Sequence, residues 1–398
     1  MPLSPLPPVK RRIVKSVCFI SLKSYDLLRE GAQPRFIGGA ERQQVLVGRG
    51  LQQLGYRVSF VTLDVGQEDG INHKGIRVFK AYHPERGVPV LRSISPRWNG
   101  LCSALRRADA DIYHQMCADS ETGQVAHWVR RNRRQFVFAV ASDADCHKEL
   151  PLLGTRRQRW LYRYGLSRAD RVVAQTEAQQ HDLKKSLGIE STIIPSCTSD
   201  VGFQRPTQPR CPKGNQTTLA WVSRLVPLKR LEWLLDLAEK CPGYRFVVVG
   251  GGDESEPYVR NLINRAKGIP NVQLLGRVSD LELWNVYAKS DLLLDTASVA
   301  GVPTTFLEAW ARGVPVVSTV DPDGIVTRNN LGRVVANVSE MEEAMSDLIG
   351  NREVWAQCSR SARHYYEKHH TVQAIASAYD ELFRELEKAS GECKPWVI

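Results

Sequence analysis

Short apolar runs alternate along this chain with longer stretches in which apolar residues recur at helical spacing. Ile13–Ile20 reads as a buried strand, and Ala40–Leu54 as a helix that Gly55 is placed to end. Val58–Leu63, Asp111–Met116, Phe136–Ala141, Arg171–Gln175 and Thr192–Ile194 read as further short strands, with helical stretches such as Arg157–Leu166 and Glu177–Leu187 between them. Strand and helix in strict alternation predict a parallel sheet with helices on both faces.

The alternation breaks at Pro195–Gln216, where Pro195, Pro206, Pro209 and Pro212 stand among Ser, Thr and Gly, the composition of a linker. It then restarts. Leu219–Val222, Phe246–Val249, Val272–Leu275, Leu292–Leu294 and Val314–Val317 are predicted strands, and Arg230–Lys240, Pro257–Lys267, Asp280–Ala288 and Thr304–Arg312 predicted helices. Helices fill the stretch from Met341 to Lys388. The pattern predicts an α/β protein of two Rossmann-like domains, residues 1–203 and 204–371, facing each other across a central cleft.

Length agrees with this division, since 398 residues exceed one ordinary core. The longest apolar runs, such as Phe136–Ala141, are far shorter than the ~20 residues of a membrane span. Pro-rich Met1–Pro8 followed by Lys10–Arg12 is not laid out as a signal peptide. Nine cysteines, an odd number without a CxxC pair, are expected to be reduced thiols in a cytoplasm.

Charge divides the halves. Residues 1–200 hold 31 Lys and Arg against 19 Asp and Glu, and the rest 23 against 24, so the net +11 resides in the first half. Arg130-Arg131-Asn132-Arg133-Arg134 and Arg156-Arg157-Gln158-Arg159-Trp160 concentrate it. Such a face is either simply solvated or a surface for anionic lipid or an anionic acceptor. Nucleic acid is not an expected partner, because the chain has neither zinc-ligand spacing nor an aromatic RNA-binding motif.

Open parallel sheets bind ligands beyond the carboxyl ends of their strands, so the chemistry is sought in those loops. Gly38-Gly39-Ala40-Glu41-Arg42 opens a helix after the first strand; paired glycines are often just a turn, but they also let backbone approach an anion at the helix end. Ser223-Arg224-Leu225-Val226-Pro227-Leu228-Lys229 places two cations, Arg224 and Lys229, within reach of one diphosphate. In Gly301-Val302-Pro303-Thr304-Thr305-Phe306-Leu307-Glu308, a tight turn precedes a helix. The amides of Thr304 and Thr305 can receive phosphate oxygens, and Glu308 can accept from both hydroxyls of a ribose or stabilise the helix dipole.

These segments, together with Val249-Gly250-Gly251-Gly252 and Ala169-Asp170-Arg171-Val172-Val173-Ala174-Gln175-Thr176-Glu177, resemble in order and in kind the retaining glycosyltransferases of family 4, which have the GT-B fold. The resemblance spans nearly the whole chain, and its most specific part is Gly301 to Val317. It implies transfer of a hexosyl group from a UDP- or GDP-sugar to a glycan or lipid-linked acceptor, with the anomeric configuration kept. Arg224 and Lys229 would hold the donor diphosphate, Glu308 the ribose, and backbone near Gly276-Arg277-Val278 the base; Gly38, Gly39, Gly250, Gly301, Thr304 and Thr305 would complete the donor site. The C-terminal helix, about residues 372–398, is expected to pack back on the first domain. The enzyme would be cytoplasmic, with its basic half on the inner membrane face.

Two departures stand out. The family carries a pair of glutamates with seven residues between them; Glu308 matches the second, but the first position is Ala300. A binding scaffold without turnover is therefore the alternative. Many relatives also carry a histidine after a central strand, where this chain reads Ser142-Asp143-Ala144-Asp145-Cys146-His147. Asp143, then Asp145, is the candidate for the polar residue facing the sugar or accepting a proton, unless either merely caps the next segment. Asp143-Ala144-Asp145 also has the Asp-x-Asp form of a metal site, but so do Asp109-Ala110-Asp111 and Asp321-Pro322-Asp323. No metal or other cofactor is expected, with Arg224 and Lys229 taking the cation's place.

Overall fold

The computed structural model describes residues 15–29, 38–86, 96–199, 217–298 and 301–391. Val299 and Ala300, most of the predicted linker and the two chain ends lie outside that set.

The first half forms an eight-stranded sheet. In chain order its strands are β1 (Ser16–Ile20), β2 (Arg57–Thr62), β3 (Ile71–His73), β4 (Ile76–Lys80), β5 (Ile112–Met116), β6 (Gln135–Ala139), β7 (Arg171–Ala174) and β8 (Thr192–Ile193). They lie side by side as β3-β4-β2-β1-β5-β6-β7-β8. Every pairing is parallel except the hairpin β3–β4 at the edge, a departure from the all-parallel expectation. Side chains alternate across β1: Cys18 and Ile20 enter the core with Trp128 and Tyr162, while Val17 and Phe19 enter the opposite core with Val47 and Phe383. A strand buried on both faces reads as an unbroken apolar run, as β1 does.

The second half forms a six-stranded parallel sheet of β9 (Thr218–Val222), β10 (Arg245–Val249), β11 (Val272–Gly276), β12 (Leu292–Asp295), β13 (Val316–Ser318) and β14 (Gly332–Val334). Its order, β11-β10-β9-β12-β13-β14, is that of a doubly wound Rossmann sheet. The direction of winding reverses between β9 and β12, and in the first sheet between β1 and β5. The crevices at these reversals are where such sheets bind ligands.

The helix Val372–Gly391 packs on the sheet of the other half. Ile375, Ala376, Tyr379, Leu382, Phe383 and Leu386 are buried, a stripe of helical period, and all but Ala376 join the same core as Val17 and Phe19. It crosses the helix Gly39–Gln53 so closely that a Cβ on Gly50 would stand 2.7 Å from that of Ala376. The crossover before it is tied down as well: Thr198 pairs with Thr371, the Tyr366 hydroxyl donates to the Thr198 carbonyl (2.9 Å), and His370 Nδ1 meets the Ser196 carbonyl (2.8 Å).

Candidate active site

The loops at the switch point of the second sheet are fastened to one another by their backbones. After β9, Leu225 N donates to the Gly251 carbonyl (3.1 Å), and Ser298 N, after β12, donates to the Leu228 carbonyl (2.9 Å). Gly250 has φ +134°, and a side chain there would collide with the Ser223 carbonyl, so only glycine allows the β10 loop to lie beneath the β9 loop. Arg277, after β11, packs its side chain against Gly251 and is exposed; Val278 is half-buried beside it.

Within this frame Arg224 is exposed, and Lys229 closes the 3-10 turn Pro227–Lys229. The Lys229 charge acts on Asp295, a buried carboxylate at the end of β12 whose pKa burial raises and Lys229 opposes. The next residue, Arg230, was not foreseen as part of the site. It adopts left-handed φ +45°, and its guanidinium donates to the carbonyls of Thr296 (2.6 Å) and Ala297 (3.0 Å) and to Thr319 Oγ1 (3.0 Å). It thereby clamps the β12 loop to the β9 loop. In the sequence it reads merely as the start of a helix.

The helix Thr304–Trp310 follows the Gly301 turn with no side-chain cap, so the amides of Thr304 and Thr305 lack an intrahelical carbonyl. Glu308, one turn on, is 5% exposed. Its Oε2 accepts from the Tyr287 hydroxyl (3.0 Å), and its Oε1 lies 3.5 Å from Arg42 Nη1 of the first half. Arg42 Nη2 also meets Asp280 Oδ1 at 2.5 Å. Burial raises the Glu308 carboxyl above the ordinary range, opposed first by Arg42, then by Tyr287 and Arg312.

On the first half, Gly38 precedes and Gly39 opens the helix that carries Arg42, and beyond its chain neighbours and its own helix backbone no heavy atom of the described residues lies within 4 Å of where a Gly39 Cβ would stand. After β6, Asp143 begins a 3-10 turn, Asp143–Cys146. Its Oδ1 accepts from Gln179 Nε2 (2.9 Å) and would stand 3.5 Å from a Cβ on Gly301, so this carboxylate faces the Gly301 loop of the other half. Asp145 does not share that position. It is 1% exposed and accepts from Ala141 N (2.8 Å) and Ser142 N (3.3 Å), which makes it the cap of the turn and corrects its candidacy as a cleft-facing group. His147 is exposed, whereas His114 lies inside β5 against the Tyr379 hydroxyl (3.3 Å), in the core.

The remaining Asp-x-Asp pairs are also committed. Asp109 and Asp111 pair with Arg134. Asp321 accepts from Val326 N, and Asp323 crosses the cleft to cap the helix Glu177–Asp182 through Glu177 N (2.6 Å) and Ala178 N (3.1 Å). Among the described residues no group of three His, Cys, Asp or Glu could hold a metal ion. The described cysteines are all free thiols.

Two further residues escaped the sequence reading. Gln179, 3% exposed, donates to Asp143 and accepts from Gln175 N (2.9 Å), so a fixed amide aims the Asp143 carboxylate. The only signal was its place three residues after the helix cap Thr176, the spacing of a capping box. Glu121, which opens the helix after β5, accepts from Tyr82 (2.9 Å) and Ser120 (2.9 Å), and burial followed by nearby Asp119 raises its pKa. Nothing in its neighbourhood of sequence marked it.

Residues 38–195 match the family described as glycosyl transferase 4-like domain, and residues 216–351 that described as glycosyl transferases group 1. The chain belongs to this glycosyltransferase family, and its two facing Rossmann-like domains are the GT-B fold. It is 28% identical over 230 residues to an uncharacterized glycosyltransferase of Haemophilus influenzae, covering 54% of this chain and 62% of that one. To D-inositol 3-phosphate glycosyltransferase of Mycolicibacterium smegmatis it is 27% identical over 242 residues, covering 54% of each. The matches thus span less than two thirds of either relative. Both are named as glycosyltransferases, which lends the scaffold alternative no support. In fold, it resembles Anabaena HepE, solved in complex with UDP-glucose, with a TM-score of 0.68 at 15% identity over 93% of this chain and 99% of that one.

Proposed function

We propose that this protein moves a hexosyl group from a UDP- or GDP-sugar to a glycan or lipid-linked acceptor, with retention and without a metal. The observation that carries the reading is the meeting of the clamped β9 and β12 loops, bearing Arg224, Lys229 and Gly301, with Asp143 of the opposite half. The donor's bond from C1 to the diphosphate breaks, and a new bond from C1 to the acceptor oxygen forms on the same face. Arg224 and Lys229 meet the charge on the leaving diphosphate, in a cleft whose closure strengthens that attraction. The acceptor proton passes to the departing phosphate or to Asp143. Glu308 grips the ribose. The nucleotide found in HepE favours a uridine donor as the first to try.

The acceptor side suggests where the acceptor resides. On the helix Arg156–Leu166, Arg156, Arg157, Trp160 and Arg163 are exposed on one stripe, Trp160 stacks on Tyr164, and Leu152 nearby is 68% exposed. The buried Tyr162 hydroxyl of the same helix donates to the Asp145 carbonyl (2.9 Å), joining the helix to the turn that holds Asp143. Cations around an exposed indole suit an anionic membrane surface. No helix among the described residues is long and apolar enough to cross a membrane.

The test is release of UDP or GDP from a panel of nucleotide sugars, with and without lipid extract, and with the product anomer read by NMR. An inverted product would overturn retention, and no release from any donor would overturn the transferase reading. Sedimentation with vesicles containing phosphatidylglycerol, lost in Trp160→Ser, is expected; equal binding to neutral vesicles would overturn the anionic-surface reading.

A further inference from the structure

The contact between Arg42 and Glu308 joins the two halves at the carboxylate proposed to hold the ribose. Arg42 belongs to the first turn of a helix in the first half, yet its guanidinium reaches two acids of the second. The two contacts differ. The one to Asp280, at 2.5 Å, is a short charge-assisted bond, whereas the one to Glu308 Oε1, at 3.5 Å, is at the limit of hydrogen bonding. Oε1 therefore keeps lone pairs available, while Oε2 is engaged by Tyr287. Asp280 anchors the guanidinium, and Glu308 receives its charge without being saturated by it.

We propose that Arg42 is a positioning residue for the nucleoside: it holds the Glu308 carboxylate ready for the ribose hydroxyls, and does so only while the two halves are together. The inference rests on the ribose assignment above. When the halves part, the guanidinium leaves with the first half, and Glu308 keeps only Tyr287 and Arg312. A carboxylate buried without enough compensating charge takes up a proton rather than stay ionised. Protonated, it is a poorer acceptor for a diol, so ribose capture and cleft closure become one event. The groups acting on Glu308 fit this. Burial raises its pKa, Arg42 is foremost in lowering it, Tyr287 and Arg312 follow, and Asp280 opposes them.

The experiment is calorimetric titration of the full chain with UDP and GDP from pH 5 to pH 8, on the native protein, Arg42→Met, Arg42→Lys and Glu308→Gln, with melting curves to verify folding. The tighter of the two nucleotides is used throughout. Arg42→Met is expected to move the acid limb of the affinity profile upward, giving about tenfold weaker binding per pH unit below the carboxyl's new pKa and recovery as pH rises. Arg42→Lys is expected to restore the limb. Glu308→Gln is expected to bind weakly at every pH. If Glu308→Gln binds as the native protein does, the ribose assignment fails and the Arg42 inference with it. If Glu308→Gln is weak but Arg42→Met keeps the native profile, or is weakened equally at every pH, the ribose assignment stands and the Arg42 inference is overturned. Should Arg42→Met not fold, Arg42→Gln carries the same test.

Discussion

At the rim of the second sheet, backbone meets backbone: Gly250 lies against the Ser223 carbonyl, Ser298 bonds to Leu228, and Arg230 closes the arrangement with three bonds from one guanidinium. At the rim of the first sheet, side chains do the holding: Asp143 is aimed by one amide of Gln179, and Glu121 by the hydroxyls of Tyr82 and Ser120. The first kind of rim tolerates little change, because a methyl group in the wrong place meets a carbonyl. The second kind can change its residues one at a time while the turn survives. The difference fits the proposed division of labour, in which the second half would receive a fixed diphosphate and the first half an acceptor.

The strongest way to break this contrast is Arg224→Ala. If the second rim bears the charge of the leaving group, release of nucleoside diphosphate falls by about a hundredfold or more, with an unchanged melting point because the side chain is exposed. Full activity in that variant would separate the second rim from the chemistry. Asp143→Asn probes the other rim: turnover is expected to fall by about a hundredfold, the lower end for a proton-transferring group, while donor affinity measured by calorimetry holds. Loss of donor affinity instead would put Asp143 on the donor side.

A smaller effect sharpens the comparison where the halves are joined. Burial holds His370 down to about 4 and His114 to about 3, from an ordinary 6.5. Between pH 6.5 and 4 the unfolded chain binds a proton that folded His370 does not, so stability falls as pH is lowered through that window. At pH 5 a shift of this size costs roughly 2 kcal/mol. The melting temperature is expected to drop from pH 7 to pH 5, and to drop less in His370→Gln; equal drops would show that His370 is not the group responsible. The least effect of all is expected from EDTA. Activity that vanished with it and returned with manganese would overturn the metal-free reading.

How far these features could be read beforehand depended on the kind of interaction. Strands buried on both faces announce themselves as apolar runs, and β1, β10 and β12 lie within a few residues of where the pattern puts them. β3 and the short edge strand β14 carry few apolar residues, and Arg77 breaks the apolar run of β4, so the pattern names none of them. In the second half, Gly250, Lys229 and Glu308 are visible as residue types at telling places. Their neighbours Arg42, Arg230 and Gln179 were visible as letters but not as partners, since each acts on a residue brought near only by folding; Arg42 and Glu308 are 266 positions apart. Asp143 and Asp145 looked alike in sequence, and only burial separated the one facing Gly301 from the one capping a turn.

The placement of the helix Val372–Gly391 bears on how the molecule is made. A ribosome delivers the first sheet early, yet part of one of its walls arrives only after the whole second sheet has been made. Until then Val17, Phe19 and Val137 have a bare side, and each large apolar residue left uncovered forgoes roughly 1.5–3 kcal/mol. Folding of the first half is therefore expected to be completed only once this helix has been made, and a proteolytic nick near residue 370 is expected to loosen the first sheet as well as the second.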